Sequence, residues 1–272
     1  MKAESLAGLL RWYADMGVDI AVDDAPHDRF AECREIACAN DARPAAARLP
    51  DTFEASHRVM RGPAAAISAN SAEAAQGQAS AAQTLADLRE RLSRFEGCGL
   101  KATATRLVFG DGNPSADIMF IGEAPGADED REGVPFVGRA GKLLDKMLAS
   151  IGLDRGKVYI ANVVPWRPPG NRTPSPLETA SCLPFIRRQI ELVDPKILVF
   201  LGAAAAQTLL ASKEGIMRMR GRWFAYAGNT EIRALAMLHP AFLLRQPAHK
   251  RLAWQDLRTL DKEIRRLQLF AN

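Results

Sequence analysis

Long apolar runs are missing from this 272-residue chain. The longest, "ILVFLGAAAA" at 197–206, is too short to span a bilayer. The N-terminus, "MKAESLAGLLRWYADMG", carries acids early and has no long apolar block with a cleavage site, so no signal peptide is read and a cytoplasmic location without membrane association is expected. Cysteine is scarce: Cys33, Cys38, Cys98 and Cys182, with no CxxC pair. That excludes a zinc ribbon or a dithiol redox motif, and in a cytosolic chain it favours reduced thiols or metal ligands over disulfides. Neither GxxxxGK[ST] nor GxGxxG occurs, which disfavours a nucleotide-triphosphate enzyme.

What is present reads as an ordinary soluble globular protein, 47% hydrophobic and 25% charged. Charge is unevenly spread. Residues 1–95 carry 11 Lys+Arg against 14 Asp+Glu, a net of −3, whereas residues 96–272 carry 25 against 18, a net of +7. The second segment is thus the one suited to a polyanion, although taken alone a solvated surface of mixed charge is the better account of +7 over 177 residues.

The first segment, 1–95, is read as a helical N-terminal extension. Leu9, Leu10 and Tyr13 lie at helical spacing over residues 6–16, residues 30–40 suit a second helix, and "QTLADLRERLSRFEG" suits another. Between them, residues 41–83 are rich in Ala, Ser, Gln, Pro and Gly with few large apolar side chains, the composition of a flexible linker. From residue 96 onward, strand and helix alternate four times: "ADIMFIGEA", "KVYIANVV", "KILVFLG" and "IRALAMLHP" each precede a helical pattern. This predicts an α/β fold with a parallel sheet covered by helices on both faces. Near-continuous apolar strands agree with burial on two sides.

Ligands of such sheets bind beyond the carboxyl ends of the strands. Four loops gather there: 122–137, 162–174, 202–203 and 239–247. The first, "GEAPGADEDREGVPFVG", combines Gly122, Gly126 and Gly133 and two prolines with four acids in residues 128–132. Glu123 stands at its strand's end, and Phe136 is either a platform for a planar ring or a plug for the core. In the second, "NVVPWRPPGNRTPSP", Asn162 can donate and accept at once, which suits either the edge of a base or neighbouring backbone. Arg167, Asn171 and Arg172 suit phosphate contacts or a stiff wall, and Trp166 is open between core and stacking. In the fourth, "LHPAFLLRQP", His239 suits either stabilisation of an anionic oxygen or a core hydrogen bond. Phe242, Leu243 and Leu244, followed by Arg245, suit a wedge in a base stack or an inward-packed turn.

Taken together and in this order, "GEAPGADEDREGVPFVGRAG", "ANVVPWRPPGNRTP" and "HPAFLLRQP" resemble the family 4 uracil-DNA glycosylases over residues 98–265. The resemblance implies a three-layer α/β/α sandwich with a central four-stranded parallel sheet in residues 96–272. It implies hydrolysis of the N-glycosidic bond of uracil in DNA, single- or double-stranded, with the base flipped into a pocket. On that resemblance Phe136 stacks on uracil, Asn162 reads its edge, and backbone near Gly122, Glu123 and Ala124 binds a carbonyl oxygen. His239 stabilises the leaving anion, Glu123 is the catalytic carboxylate, and Asn171 helps position water. Glu129 fills the space beside C5, while Arg167, Arg172, Leu244 and Arg245 contact DNA. A monomer is expected. A competing reading keeps the basic surface and Phe136 but only holds single-stranded or damaged DNA.

One departure stands out. The family's four-iron–four-sulfur cluster takes four cysteines, and only Cys98 and Cys182 occupy matching places. Lys101 and Trp166 stand at the other two, so no cluster and no metal site are expected, with Trp166 and the Lys101 stem filling the space.

Overall fold

Alternate residues of the buried strands face two different helical layers. Met119 and Ile121 join one hydrophobic cluster with Leu198, Phe200, Ala234 and Ala236. Ile118 and Phe120 join another with Ile197, Val199, Leu201, Leu235 and Met237. A two-residue period with both faces apolar needs a helix layer on each side. The computed structural model, which describes residues 66–228 and 231–270, has that three-layer architecture.

In chain order the elements are α1 (Ala66–Ala81), α2 (Leu85–Arg94), β1 (Asp111–Gly112), β2 (Ile118–Gly122), α3 (Ala127–Glu132), α4 (Arg139–Ala149), β3 (Tyr159–Asn162), α5 (Pro176–Val193), β4 (Ile197–Leu201), α6 (Ala203–Leu210), α7 (Ile216–Met219), β5 (Trp223–Ala227), β6 (Glu231–Met237), α8 (Pro240–Arg245) and α9 (Lys250–Arg266). The sheet runs β1-β3-β2-β4-β6-β5. Its four central strands are mutually parallel, as the alternation requires. The expected four strands are flanked by two more: β1 and β5 pair antiparallel with β3 and β6, making six. Two residues of β1 are too few to show a pattern, and the edge strand β5 buries only Tyr226.

The region expected to be linker is corrected from residue 66 onward. Residues 66–81 form α1, whose buried positions Ser71, Ala75 and Ala79 recur every fourth residue, followed by buried Ala82. Small side chains leave little hydrophobic signal, but they let α1 lie close against α5. Ser71 Oγ lies 3.3 Å from Ser181 Oγ, and Arg188 donates to the Ala82 carbonyl from Nε and Nη2 at 3.0 and 2.8 Å. Leu88, Leu92 and Phe95 of the α2 region enter the same cluster as the sheet, so the core starts before the expected boundary at residue 96. The helices expected at 6–16 and 30–40, with Cys33 and Cys38, lie outside the described residues.

Two caps fix helices beside the site. Ser175 accepts from the Glu178 N–H at 3.2 Å while the Glu178 carboxylate accepts from the Ser175 N–H at 2.7 Å, a capping box that starts α5 with Pro176 at its first position. His239 is the N-cap of α8.

Candidate active site

The apolar strand β2 ends at Gly122, and the absence of a side chain there is a packing requirement. A Cβ on Gly122 would stand 2.5 Å from Asn162 Oδ1 and 2.6 Å from Phe136 Cζ. Only glycine lets the amide from one loop and the ring from another close over the strand end.

The acids of loop one have separate tasks. Residues 127–132, expected as irregular loop, form α3, with Asp128, Glu129 and Asp130 in its first turn where the helix dipole favours negative charge. Asp128 pairs with Arg131 at 2.5 Å at the surface. Glu129 is buried and accepts from the N–H groups of Gly126, Val137 and Gly138 at 3.0, 3.0 and 2.9 Å, joining the two ends of the loop. Asp130 accepts from the Thr105 N–H and hydroxyl, both at 2.8 Å, and from the Arg106 N–H at 3.2 Å. Burial pushes its pKa up, but these hydrogen bonds outweigh burial and leave it lowered.

Phe136 is buried and has φ of 56°, a left-handed conformation that a bulky residue rarely adopts. Its carbonyl is packed so tightly on α4 that a Cβ on Gly141 would stand 1.7 Å from it. That carbonyl also accepts from Arg155 Nη2, and the Pro135 carbonyl accepts from Arg155 Nη1 at 3.1 Å. Arg155 is itself held by Asp111 at 2.7 Å and Asp145 at 2.8 Å. Sequence reasoning missed this clamp. An arginine acting through backbone carbonyls leaves no motif.

Asn162, the last residue of β3, is 4% exposed, and its Oδ1 is buried without a hydrogen-bond partner. Glu123 Oε1 is likewise buried and unpartnered. Burial raises the Glu123 pKa, a hydrogen bond with Thr173 acting against it. Leaving such atoms unpaired costs about 1–3 kcal/mol each, so they point to groups completed by a ligand.

The His239 ring lies 5.6 Å from that of Phe136, tilted by 31°. Its Nδ1 accepts from the Ala241 N–H at 3.1 Å, which places the proton of the neutral ring on Nε2. Burial, and then the Arg245 charge, lower its pKa to about 4, so the imidazole is neutral at pH 7.

A cavity of about 650 Å³ brings these groups together. Glu123, Ala124, Glu129, Phe136 and Asn162 line it, and so do Asn171, Arg172, His239 and Arg245. Gly122 belongs to the same cluster through its contacts with Phe136 and Asn162. Arg167 and Leu244 are not in the cavity wall. Arg167 Nε donates to Asn171 Oδ1 at 2.7 Å, holding Asn171 at φ of 55°. Arg172 makes a two-point pair with Glu178 at 2.8 and 2.6 Å, chiefly through which the Glu178 pKa falls to about 2. Both arginines thus brace loop two, while Arg245 is exposed at the cavity rim. Trp166, 2% exposed, belongs to the core.

Residues 109–258 match the family model of the uracil DNA glycosylase superfamily. This chain belongs to the uracil DNA glycosylase superfamily. It is accordingly a glycosylase, an enzyme of DNA repair. Over 171 residues it is 40% identical to the type-4 uracil-DNA glycosylase of Thermotoga maritima, covering 62% of this chain and 88% of the relative. Over 170 residues it is 42% identical to the type-4 enzyme of Archaeoglobus fulgidus, covering 61% and 85%. The type-4 enzyme of Sulfurisphaera tokodaii is 40% identical over 193 residues, covering 68% and 86%.

Among the described residues the glycosylase has two thiols, where a cubane cluster takes four ligands. Cys98 and Cys182 are both buried, with sulfurs 3.7 Å apart. Trp166 shares their hydrophobic cluster, and Lys101 is turned to Glu96 in an ion pair. Among the described residues no group of three or more His, Cys, Asp or Glu side chains is placed to hold a metal. No helix among them is long and apolar enough to cross a membrane.

Proposed function

We propose that this enzyme excises uracil from DNA by hydrolysing the bond between C1′ and N1, leaving an abasic site. The observation that carries the reading is the unpaired, buried Asn162 amide oxygen, set against Phe136 and Gly122 in the cavity that also holds Glu123 and His239. A flipped uracil offers N3–H to Asn162 Oδ1 and O4 to the same amide's NH₂, with its face on Phe136. Glu129, pinned by three N–H groups, is a rigid wall beside C5 and resists thymine's methyl. Such exclusion is worth roughly 1–3 kcal/mol.

As the C1′–N1 bond breaks, its electron pair moves onto the base and the sugar becomes cationic. The neutral His239 donates a hydrogen bond from Nε2–H to O2, where the negative charge collects, and keeps that proton. The Glu123 carboxylate faces the cationic sugar and takes a proton from the water that adds to C1′. Burial of Glu123 raises its basicity in step with that task. Asn171, braced by Arg167, is positioned at the cavity wall to hold that water. Arg245 at the rim and Leu244 beside it contact the DNA strand, and the chemistry proceeds without an iron–sulfur cluster.

The decisive assay incubates the protein with a uracil-containing oligonucleotide, then applies alkali. Strand scission at uracil is expected, and its loss in Asn162→Ala with DNA retention intact is the expected control. Intact DNA from the wild-type protein, with normal DNA retention, refutes the catalytic reading in favour of a binding module.

A further inference from the structure

A second cleft, of about 430 Å³, adjoins the catalytic cavity, and Glu123, Thr173, Pro174, Ala204 and Gln207 line both. It runs between the first turns of α5 and α6, with Val163 and Val164 in its wall. No lysine or arginine lines it, and its single charged side chain is Glu123. A phosphate placed there would meet a carboxylate with no cation to offset it, so the cleft is not a backbone site.

Its walls instead suit a flat neutral ring. Val163, Val164, Pro176, Ala180 and Leu183 supply aliphatic surface. Thr179, Thr208 and Gln207 supply a hydrogen-bonding edge. Gln207 Nε2 is held by the Glu214 carbonyl at 2.8 Å, which leaves the amide oxygen as a fixed acceptor. An apolar slot with a few placed polar groups is how proteins hold a splayed-out nucleobase.

We infer that this cleft takes the unstacked base of the nucleotide next to the one excised. The inference rests on the glycosylase reading, because the lesion in the adjoining cavity is what delivers a neighbour to this wall. Recognition then extends over two nucleotides, and excision depends on how easily that neighbour leaves its own stack.

The test is a cycle between the cleft and the neighbouring base, read by single-turnover excision. Oligonucleotides carry uracil with a normal base, or a tetrahydrofuran abasic analogue, on the 5′ side or the 3′ side. Removing the base on one side alone is expected to slow the wild-type enzyme roughly tenfold, as loss of a held base does. Thr208→Phe, which fills the cleft from α6, is expected to show the same loss with the base present and none further when it is removed. Ala180→Phe, from the α5 wall, repeats the cycle should Thr208→Phe melt early. Losses that multiply rather than overlap refute the cleft, as does a wild-type rate indifferent to both neighbours. No excision of any substrate refutes the glycosylase reading instead.

Discussion

Replacing Arg155 tests how a residue that does not line the cavity can govern chemistry inside it. Its guanidinium binds two carbonyls of loop one and two carboxylates, one from β1 and one from α4. Its side chain is 26% exposed, and those of Asp111 and Asp145 are 34% and 46% exposed, so the ion pairs deserve only about 0.2–1 kcal/mol each after solvent screening. The carbonyl contacts are charge-assisted and contribute about 1.5–3 kcal/mol each at full strength, less at this exposure. Arg155→Ala is therefore expected to destabilise by roughly 2–4 kcal/mol, or on the order of 5–15 °C in Tm. The larger effect is local. Phe136 holds a left-handed conformation costing about 1–3 kcal/mol, and without the clamp on its carbonyl the ring is free to leave its place in the cavity wall. A displacement of about 1 Å can cost up to ~100-fold in rate, so excision should fall by about 10–100-fold at temperatures where the variant is fully folded. Arg155→Lys keeps the charge but loses the fork; it should recover more of the Tm than of the rate. Single-turnover kinetics below the melting transition provide the assay. Wild-type excision by a folded Arg155→Ala protein refutes the reasoning.

Gly122→Ala places a methyl 2.5 Å from Asn162 Oδ1 and 2.6 Å from Phe136 Cζ; overpacking of about 1–3 kcal/mol should weaken uracil product binding by roughly 5–150-fold, measured by calorimetry. His239→Ala should slow excision by about 100–1000-fold and change DNA affinity little, and equal losses in both would contradict its role. The acid limb of the rate profile should lie above the ordinary glutamate range, because Glu123 has a raised pKa and is inactive once protonated, and no limb should appear near pH 6.5 from His239, already neutral there. Glu123→Gln should abolish that limb. It should also raise Tm at neutral pH but not below the unfolded-state glutamate pKa, since a raised folded pKa disfavours the ionised form above that point. Iron analysis of protein grown with ample iron should find no stoichiometric metal.

The central sheet was legible because doubly buried strands such as β2 and β4 carry unbroken apolar runs. Its edges were not: β1 spans two residues, and β5 has one buried side chain among five. α1 was hidden for a different reason, since an alanine face packs by closeness rather than by bulk. At the site, Asn162 and His239 stood out as unusual residues at strand ends, and Phe136 as a lone aromatic beside Pro135 in loop one. The restraints on them did not, because a left-handed φ, an arginine on two carbonyls and a carboxylate shared by three N–H groups are three-dimensional facts. The two loop-two arginines, open in the sequence between phosphate contacts and a stiff wall, have partners that no motif shows. Arg172 pairs with Glu178 and Arg167 with Asn171.

Helix α8 is only six residues long, and it carries the imidazole at one end and the rim cation at the other. At about 1.5 Å per residue, those ends are roughly 9 Å apart on one stiff rod. On the proposed reading, a DNA strand that pulls on Arg245 from outside would also tug on His239 within. If those roles hold, grip on the nucleic acid and readiness for the departing base's charge share one short helix, and a change that loosens one end is expected to be felt at the other.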